Sequence, residues 1–399
     1  MNDKKRNEQA IAELLHDIQS NDIIKAQLVL QDVDTYPSSV QKRLLFEVSR
    51  AEDAFAIPVL VFLWQERPMV ISAYPELKDI LLSKAAYNPS LVLSRLQPGE
   101  RCLATYARLC GEVPLPSAVD GLLAVLHKVS SSATLKTIVE ALGSIGDPRA
   151  VKPLGEFLYL KGSEVALQAV IALGRIASPQ ALEQLSQRIG QESAIDAALI
   201  PEFSALDPLY AVPMLNRIFV RGTVAVQEQA GEALKGFGCK AVTELHTNLV
   251  EGKADLQRRT LRVLQGIPDQ RSVQAIRKLL MTQPGEEVRG AAYETLGELG
   301  LTQGGYLLVG GLSDRSQFVR LAAARAVEHN AGPMMLSGLK NILEAGDAQA
   351  LGIVRTLLQA RATTVVASLW TDEHVRPLVR QAAEGSEDAS MQAFLASLS

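Results

Sequence analysis

Aromatic residues are scarce in this chain: Trp, Tyr and Phe make up 5% of 399 residues, while the apolar share reaches 47% and is therefore mostly aliphatic. A large core poor in rings and rich in Ala and Leu suits stacked helices. Cysteine is rarer still. Cys102, Cys110 and Cys239 include no CxxC pair, and an odd number cannot all be bridged within the chain. That excludes a disulfide framework and predicts small-residue packing roles for all three, in a reducing, cytoplasmic setting.

Histidine is equally thin. His16, His127, His246, His329 and His374 stand at separations that make neither HExxH nor a zinc-type His/Cys pairing, so no metal is expected. Positive charge is not in excess either. A formal charge of -4 and a pI near 5.9 supply no field for a polyphosphate, which makes nucleic acid an unlikely partner. No long apolar run is present: Phe55 to Trp64 is broken by Pro58 and falls short of the roughly 18 to 20 residues of a membrane span. The start of the chain is charged and Ile11 to Ile18 is amphipathic, so neither a secretion signal nor a membrane partner is expected.

What the chain does have is length and repetition. It is longer than one globular core usually grows, which leaves several domains or an elongated array. The phrase Ala141-Leu-Gly-Ser-Ile-Gly-Asp-Pro-Arg-Ala-Val-Lys-Pro-Leu154 returns at an offset of 31 as Ala172-Leu-Gly-Arg-Ile-Ala-Ser-Pro-Gln-Ala-Leu-Glu-Gln-Leu185. Echoes follow at Ala205-Leu-Asp-Pro, Ala233-Leu-Lys-Gly, Val263-Leu-Gln-Gly and Thr295-Leu-Gly-Glu. An apolar ladder in steps of 30 to 32 runs from Leu30 and Leu60 through Leu91, Leu154 and Leu245 to Leu369. In so apolar a chain the ladder alone means little; the weight rests on the phrase.

Each unit reads as two helices. Around residues 147 to 176, Asp147 is placed to cap the first helix with Pro148 at its first position, where a missing N–H costs nothing. Gly162 is expected to end that helix and Ser163 to cap the second, which carries Val165, Ala169, Val170 and Leu173 on one face. Similar punctuation recurs at Gly222-Thr223, Gly252 to Asp255, Ser313 to Ser316 and Gly346-Asp347. No segment alternates with period two, so no sheet is predicted. A hairpin of about 31 residues buries only part of its surface and needs neighbours on both sides, which makes the array a one-dimensional stack.

These phrases resemble the short HEAT repeats of the phycobiliprotein-lyase type, whose Val-Arg pair stands here as Glu287-Val288-Arg289 and Phe318-Val319-Arg320. Other units depart from it, with Ala166, Gln227 or Gln257 in place of the arginine and Pro201 inside a second helix, where a kink is expected. The resemblance implies an all-α fold, an α-α superhelix (HEAT-repeat solenoid) of roughly 10–12 helical hairpins. It divides the chain into an N-terminal cap or degenerate repeat at 1–50, the solenoid at 51–345, and a degenerate repeat with a capping helix at 346–399. In the last of these Met391, Phe394, Leu395 and Leu398 share a helical face behind Ser386-Glu-Asp.

Nothing in the sequence marks an enzyme. Gly297 to Gly300, Gly304-Gly305 and Gly310-Gly311 lack the preceding strand and following GKS or GKT of a phosphate loop. No cofactor is expected. The resemblance implies instead a binding surface on the concave, second-helix face, carrying Lys136, Glu140, Leu167, Gln168, Ile171 and Arg175, then Glu228, Gln229, Glu232, Arg258, Arg259 and Arg262, then Glu294, Leu321 and Arg325. Arg258, Arg259 and Arg262 are spaced to lie on one side of a helix as a clamp for an acidic segment, and Leu167 and Ile171 form an apolar anchor one turn apart. Mixed sign suits another protein or an acidic peptide. The expected function is a non-catalytic scaffold or adaptor in a bacterial cytoplasm. Two alternatives stay open: a subunit of a bilin lyase-like enzyme, and a nucleic-acid-binding protein like the HEAT-like DNA glycosylases.

Overall fold

The turn at Gly146 shows how the chain is built. Ser131 opens the helix Ser132–Ile145 by accepting the Thr134 N–H on its hydroxyl, and Gly146 ends it at φ +77°, the left-handed conformation that glycine adopts without a Cβ penalty. Asp147 then accepts the Arg149 N–H at 2.8 Å with Pro148 next in line, as expected. The entry is tighter than an α-helix: a 3-10 turn, Pro148–Ala150, leads into the short helix Val151–Gly155. The second helix, Glu164–Ile176, buries Val165, Ala169, Val170 and Leu173. Asp347 repeats the cap on Ala350 at 2.8 Å.

The computed structural model describes residues 3–160, 164–300, 305–384, 393–394 and 396–397. The expected stop at Gly162 and cap at Ser163, the glycine at 304, and the Ser386 start with Met391, Leu395 and Leu398 lie outside the described residues. Among the described residues there are 26 α-helices and no strand, and no helix is long and apolar enough to cross a membrane. The apolar run around Pro58 is explained by burial: in Asp53–Glu66 every residue from Phe55 to Leu63 is buried.

Taken in order, the described helices alternate as first and second members of successive hairpins. The apolar ladder changes register along them. Leu30 and Leu60 lie in second helices, Ile23–Gln31 and Asp53–Glu66, whereas Leu91, Leu154, Leu245 and Leu369 lie in first helices. The short helices Pro68–Ala73 and Pro89–Leu93 start only 21 residues apart and absorb the shift.

Second helices of neighbouring pairs meet through glycine. A Cβ on Gly143 would fall 2.6 Å from the Ala172 Cα, one on Gly111 2.9 Å from the Ala141 Cα, and one on Gly297 2.9 Å from the Ala326 Cα. At these three contacts the alanine of one repeat seats against the glycine of the repeat before it, whereas Gly174 faces Leu199 and Glu202. Close packing of this kind leaves no room for another methyl group.

Contacts divide the chain into two units, 1–203 and 204–399. The first is centred on Phe55, Leu60, Leu63, Leu109 and Leu122, the second on Leu215, Leu245, Ile276, Val319 and Leu357. Two expectations are corrected at this level. Cys102 and Cys110 are buried in packing as predicted, but Cys239 is exposed in the turn Gly238–Lys240, whose Cys239 carbonyl accepts from Arg271 at 2.7 Å. Gln168, assigned to the open face, is buried at 9% exposure, because its helix is covered more widely than the apolar stripe suggests.

Candidate partner-binding site

The helix Ala254–Gln265 buries Thr260, Leu261, Val263 and Leu264 on one face and sets Arg258, Arg259 and Arg262 on the other. Asp255, in its first turn, suits the positive end of the helix dipole and organises two of the three arginines. It lies 3.3 Å from Arg258 Nη2 and 3.1 Å from Arg259 Nε. Arg258 also reaches forward to Glu287 on the next second helix, Glu286–Leu299, at 2.9 Å.

Arg259 turns the other way. Its Nη1 donates to the Phe219 carbonyl at 3.2 Å and its guanidinium sits 5.5 Å from the Phe219 ring centroid. Arg262 is exposed and has no carboxylate or hydrogen-bond partner among the described residues. The three side chains that sequence spacing grouped together therefore hold three different positions: one bridging, one folded back, one open.

Two grooves flank this helix. One, of about 280 Å³, lies against Val224–Gly236; Phe219, Gly231 and Val263 line it with Glu228, Glu232 and Arg262. Gly231 keeps it open, since a Cβ there would come within 3.1 Å of Val263 and 3.3 Å of the Phe219 ring. The other, of about 540 Å³, is lined by Gln265, Glu287, Glu294 and Phe318. Arg258 and Arg262 line both. Phe318, 52% exposed in the first turn of Gln317–His329, was missed by sequence reasoning. Its signal lay in the Phe-Val-Arg triplet and in Gly290, whose missing side chain leaves space for the ring: a Cβ there would fall 2.5 Å from Phe318 Cε1.

The remaining expected residues are not drawn into these grooves. Arg325 stands exposed on Gln317–His329 and lines neither. In the first unit, Leu167 and Ile171 are half-buried on Glu164–Ile176. Arg175, on the same helix, is taken by Glu202, with Nε and Nη2 at 3.1 and 3.3 Å from the two carboxylate oxygens.

Groups with displaced ionisation sit in turns and cores instead. The Arg271 guanidinium holds Asp269 down at about 2, and burial pushes the Cys110 thiol up to about 12. Among the described residues no group of three or more His, Cys, Asp or Glu is placed to hold a metal ion. The chemistry the grooves offer is recognition: an unpaired guanidinium between two clefts rimmed by carboxylates, one floored by Phe219 and Val263 and the other flanked by Phe318.

Residues 119–200 and 242–328 match the family model for HEAT repeats. No curated protein matches the chain. Solved structures to which the chain is similar include the following three. Human deoxyhypusine hydroxylase shares 18% identity, with 78% of this chain and 96% of that one covered and a TM-score of 0.28. Importin beta shares 12%, with 94% and 65% covered and a TM-score of 0.32. A chain from a structure of the interaction between cadherin and beta-catenin shares 12%, with 94% of each chain covered and a TM-score of 0.36. These likenesses concern the fold alone.

Proposed function

We propose that this HEAT-repeat chain is a non-catalytic scaffold or adaptor that holds another protein by an acidic peptide segment laid across Arg258 and Arg262. The observation that carries the reading is Arg262, open and unpaired where two grooves meet. A planar guanidinium there accepts a carboxylate in two-pronged fashion, and Phe318 and the Phe219 floor offer apolar surface to the neighbouring residues of the same segment. Glu228, Glu232, Glu287 and Glu294 on the rims repel an evenly charged polyanion, which favours a peptide over a nucleic-acid backbone. The short-repeat resemblance supports a bacterial source, and three free cysteines support a reducing cytoplasm.

A selection of displayed random peptides on the purified full chain tests this. Enriched peptides are expected to combine Asp or Glu with an aromatic or aliphatic residue, and Arg262→Glu is expected to weaken their binding about tenfold or more. Enrichment of basic peptides, or equal binding by the variant, would overturn it; tighter binding of a DNA duplex would transfer the site to nucleic acid.

A further inference from the structure

The unit 1–203 carries a second trough, made from residues that the arginine grooves do not use. At its centre is Trp64, with Lys78 Nζ 5.0 Å and the Arg108 guanidinium 5.8 Å from the ring centroid. Lys78 is paired with Glu112 at 2.6 Å. Arg108, exposed on Leu103–Glu112, has no carboxylate partner among the described residues.

On one side of Arg108 lies a cavity of about 620 Å³ walled by Lys128, Ser130, Ser131 and Thr134. Lys128 is exposed and also lacks a carboxylate among the described residues. The acid and base sharing this wall, Glu100 and Arg101, are matched elsewhere, with Arg95 at 3.6 Å and Glu66 at 3.4 Å. On the other side lies a cavity of about 400 Å³ lined by Thr137, Ser144 and Glu140. Glu140 is exposed with no cationic partner among the described residues. Trp64 and Arg108 line both cavities, so the two form one trough; the Lys78–Glu112 pair also lines the smaller cavity, and beyond it the charges left unmatched are Arg108 and Lys128 in the larger cavity and Glu140 in the smaller.

We propose that this trough binds a phosphorylated peptide segment, with a phosphoserine or phosphothreonine between Arg108 and Lys128 and a basic residue farther along the segment at Glu140. A phosphoryl group carries close to two negative charges and three acceptor oxygens, which matches two unpaired cations beside a wall of hydroxyls. A single carboxylate leaves one of the cations unmatched, and a nucleic-acid strand brings a further phosphate to the acidic end. Unmatched charges of opposite sign in the two cavities suit a ligand that spans the trough, which free phosphate does not. The assignment does not depend on the reading of Arg258 and Arg262.

The test uses the full chain with Trp370→Phe, which leaves Trp64 as the reporting indole. The probe is a pool of phosphoserine peptides bearing one lysine three to five residues from the phosphoserine. Saturable change of Trp64 fluorescence is expected, about tenfold weaker without the phosphoryl group and about tenfold weaker in Arg108→Gln or Lys128→Ala. Glu140→Gln is expected to weaken the lysine-bearing pool but not a pool with alanine in its place. Both cations are exposed, so folding of the variants is checked by an unchanged thermal transition, and either variant alone decides. Equal binding of the unphosphorylated pool, equal binding by either folded variant, equal affinity for inorganic phosphate, or tighter binding of single-stranded DNA each overturns the proposal.

Discussion

Arg289 and Asp314 form a two-pronged ion pair: Nε to Oδ2 and Nη2 to Oδ1, each at 2.8 Å, with the side chains 8% and 12% exposed. The pair joins a second helix, Glu286–Leu299, to the turn between the two helices of the next repeat. Arg289 Nη1 also donates to the Pro284 carbonyl at 2.6 Å, Asp314 accepts the Ser316 N–H at 2.8 Å, and Arg320 donates to the Asp314 carbonyl at 2.9 Å. The Val-Arg pair of the repeat thus ties helices to turns rather than facing a partner.

Arg289→Met leaves Asp314 buried without its counter-charge, and breaking such a pair costs about 3–5 kcal/mol. Amide exchange across residues 270–343 is expected to accelerate, while exchange in residues 1–203 stays near wild type because repeats interact with their neighbours. An unchanged exchange pattern would show that the pair is dispensable.

Acid should act on the same turns. Burial pushes the Asp314 carboxyl up, but the Arg289 hydrogen bonds and the Ser316 N–H outweigh it, and the net shift is downward; Asp269 is held at about 2, chiefly by Arg271. Depressed folded-state values mean stability that is present above the unfolded carboxylate range and lost as pH falls through the folded values. Melting temperature is expected to hold from neutrality to about pH 5 and to drop between about pH 4 and 2. Asp314→Asn should shallow that drop, as thermal melts across the range would record.

Two glycine substitutions should have opposite signs. Gly143→Ala puts a methyl group against the Ala172 backbone and is expected to cost about 1–3 kcal/mol. Gly352→Ala, inside Ala348–Gln359 with nothing within 4 Å of the added carbon, should gain about 0.5–1 kcal/mol by helix propensity. Chemical denaturation of both variants beside wild type checks the pair; a stabilising Gly143→Ala would refute the seating of Ala172 on Gly143.

Arg259 and Arg262 should separate structure from binding. Arg259→Met loses the bond to the Phe219 carbonyl and the contact with its ring, and is expected to lower stability by about 1–2 kcal/mol with peptide affinity preserved. Arg262→Glu should do the reverse. Denaturation and peptide titration on the two variants would expose any mixing of the roles.

The helices, their caps and the repeat were legible in the sequence because they are local and periodic. Asp147-Pro148 and Asp347 satisfy the backbone next to them, and Val165, Ala169, Val170 and Leu173 share a face by spacing alone. A regular period, however, did not distinguish first helices from second ones, since a leucine serves either core, and so the register change between Leu60 and Leu91 was invisible.

Only the tertiary structure decided which charges are free. Spacing put Arg258, Arg259 and Arg262 on one side of a helix, but Arg259 finds its partner 40 residues back at Phe219, Arg175 finds Glu202 27 residues on, and Arg108 and Lys128 are left without a carboxylate among the described residues. A long flexible side chain can reach any of several neighbours, and the neighbours it meets are set by how successive repeats stack, so periodicity specifies the backbone while the stacking selects the surface that remains to bind.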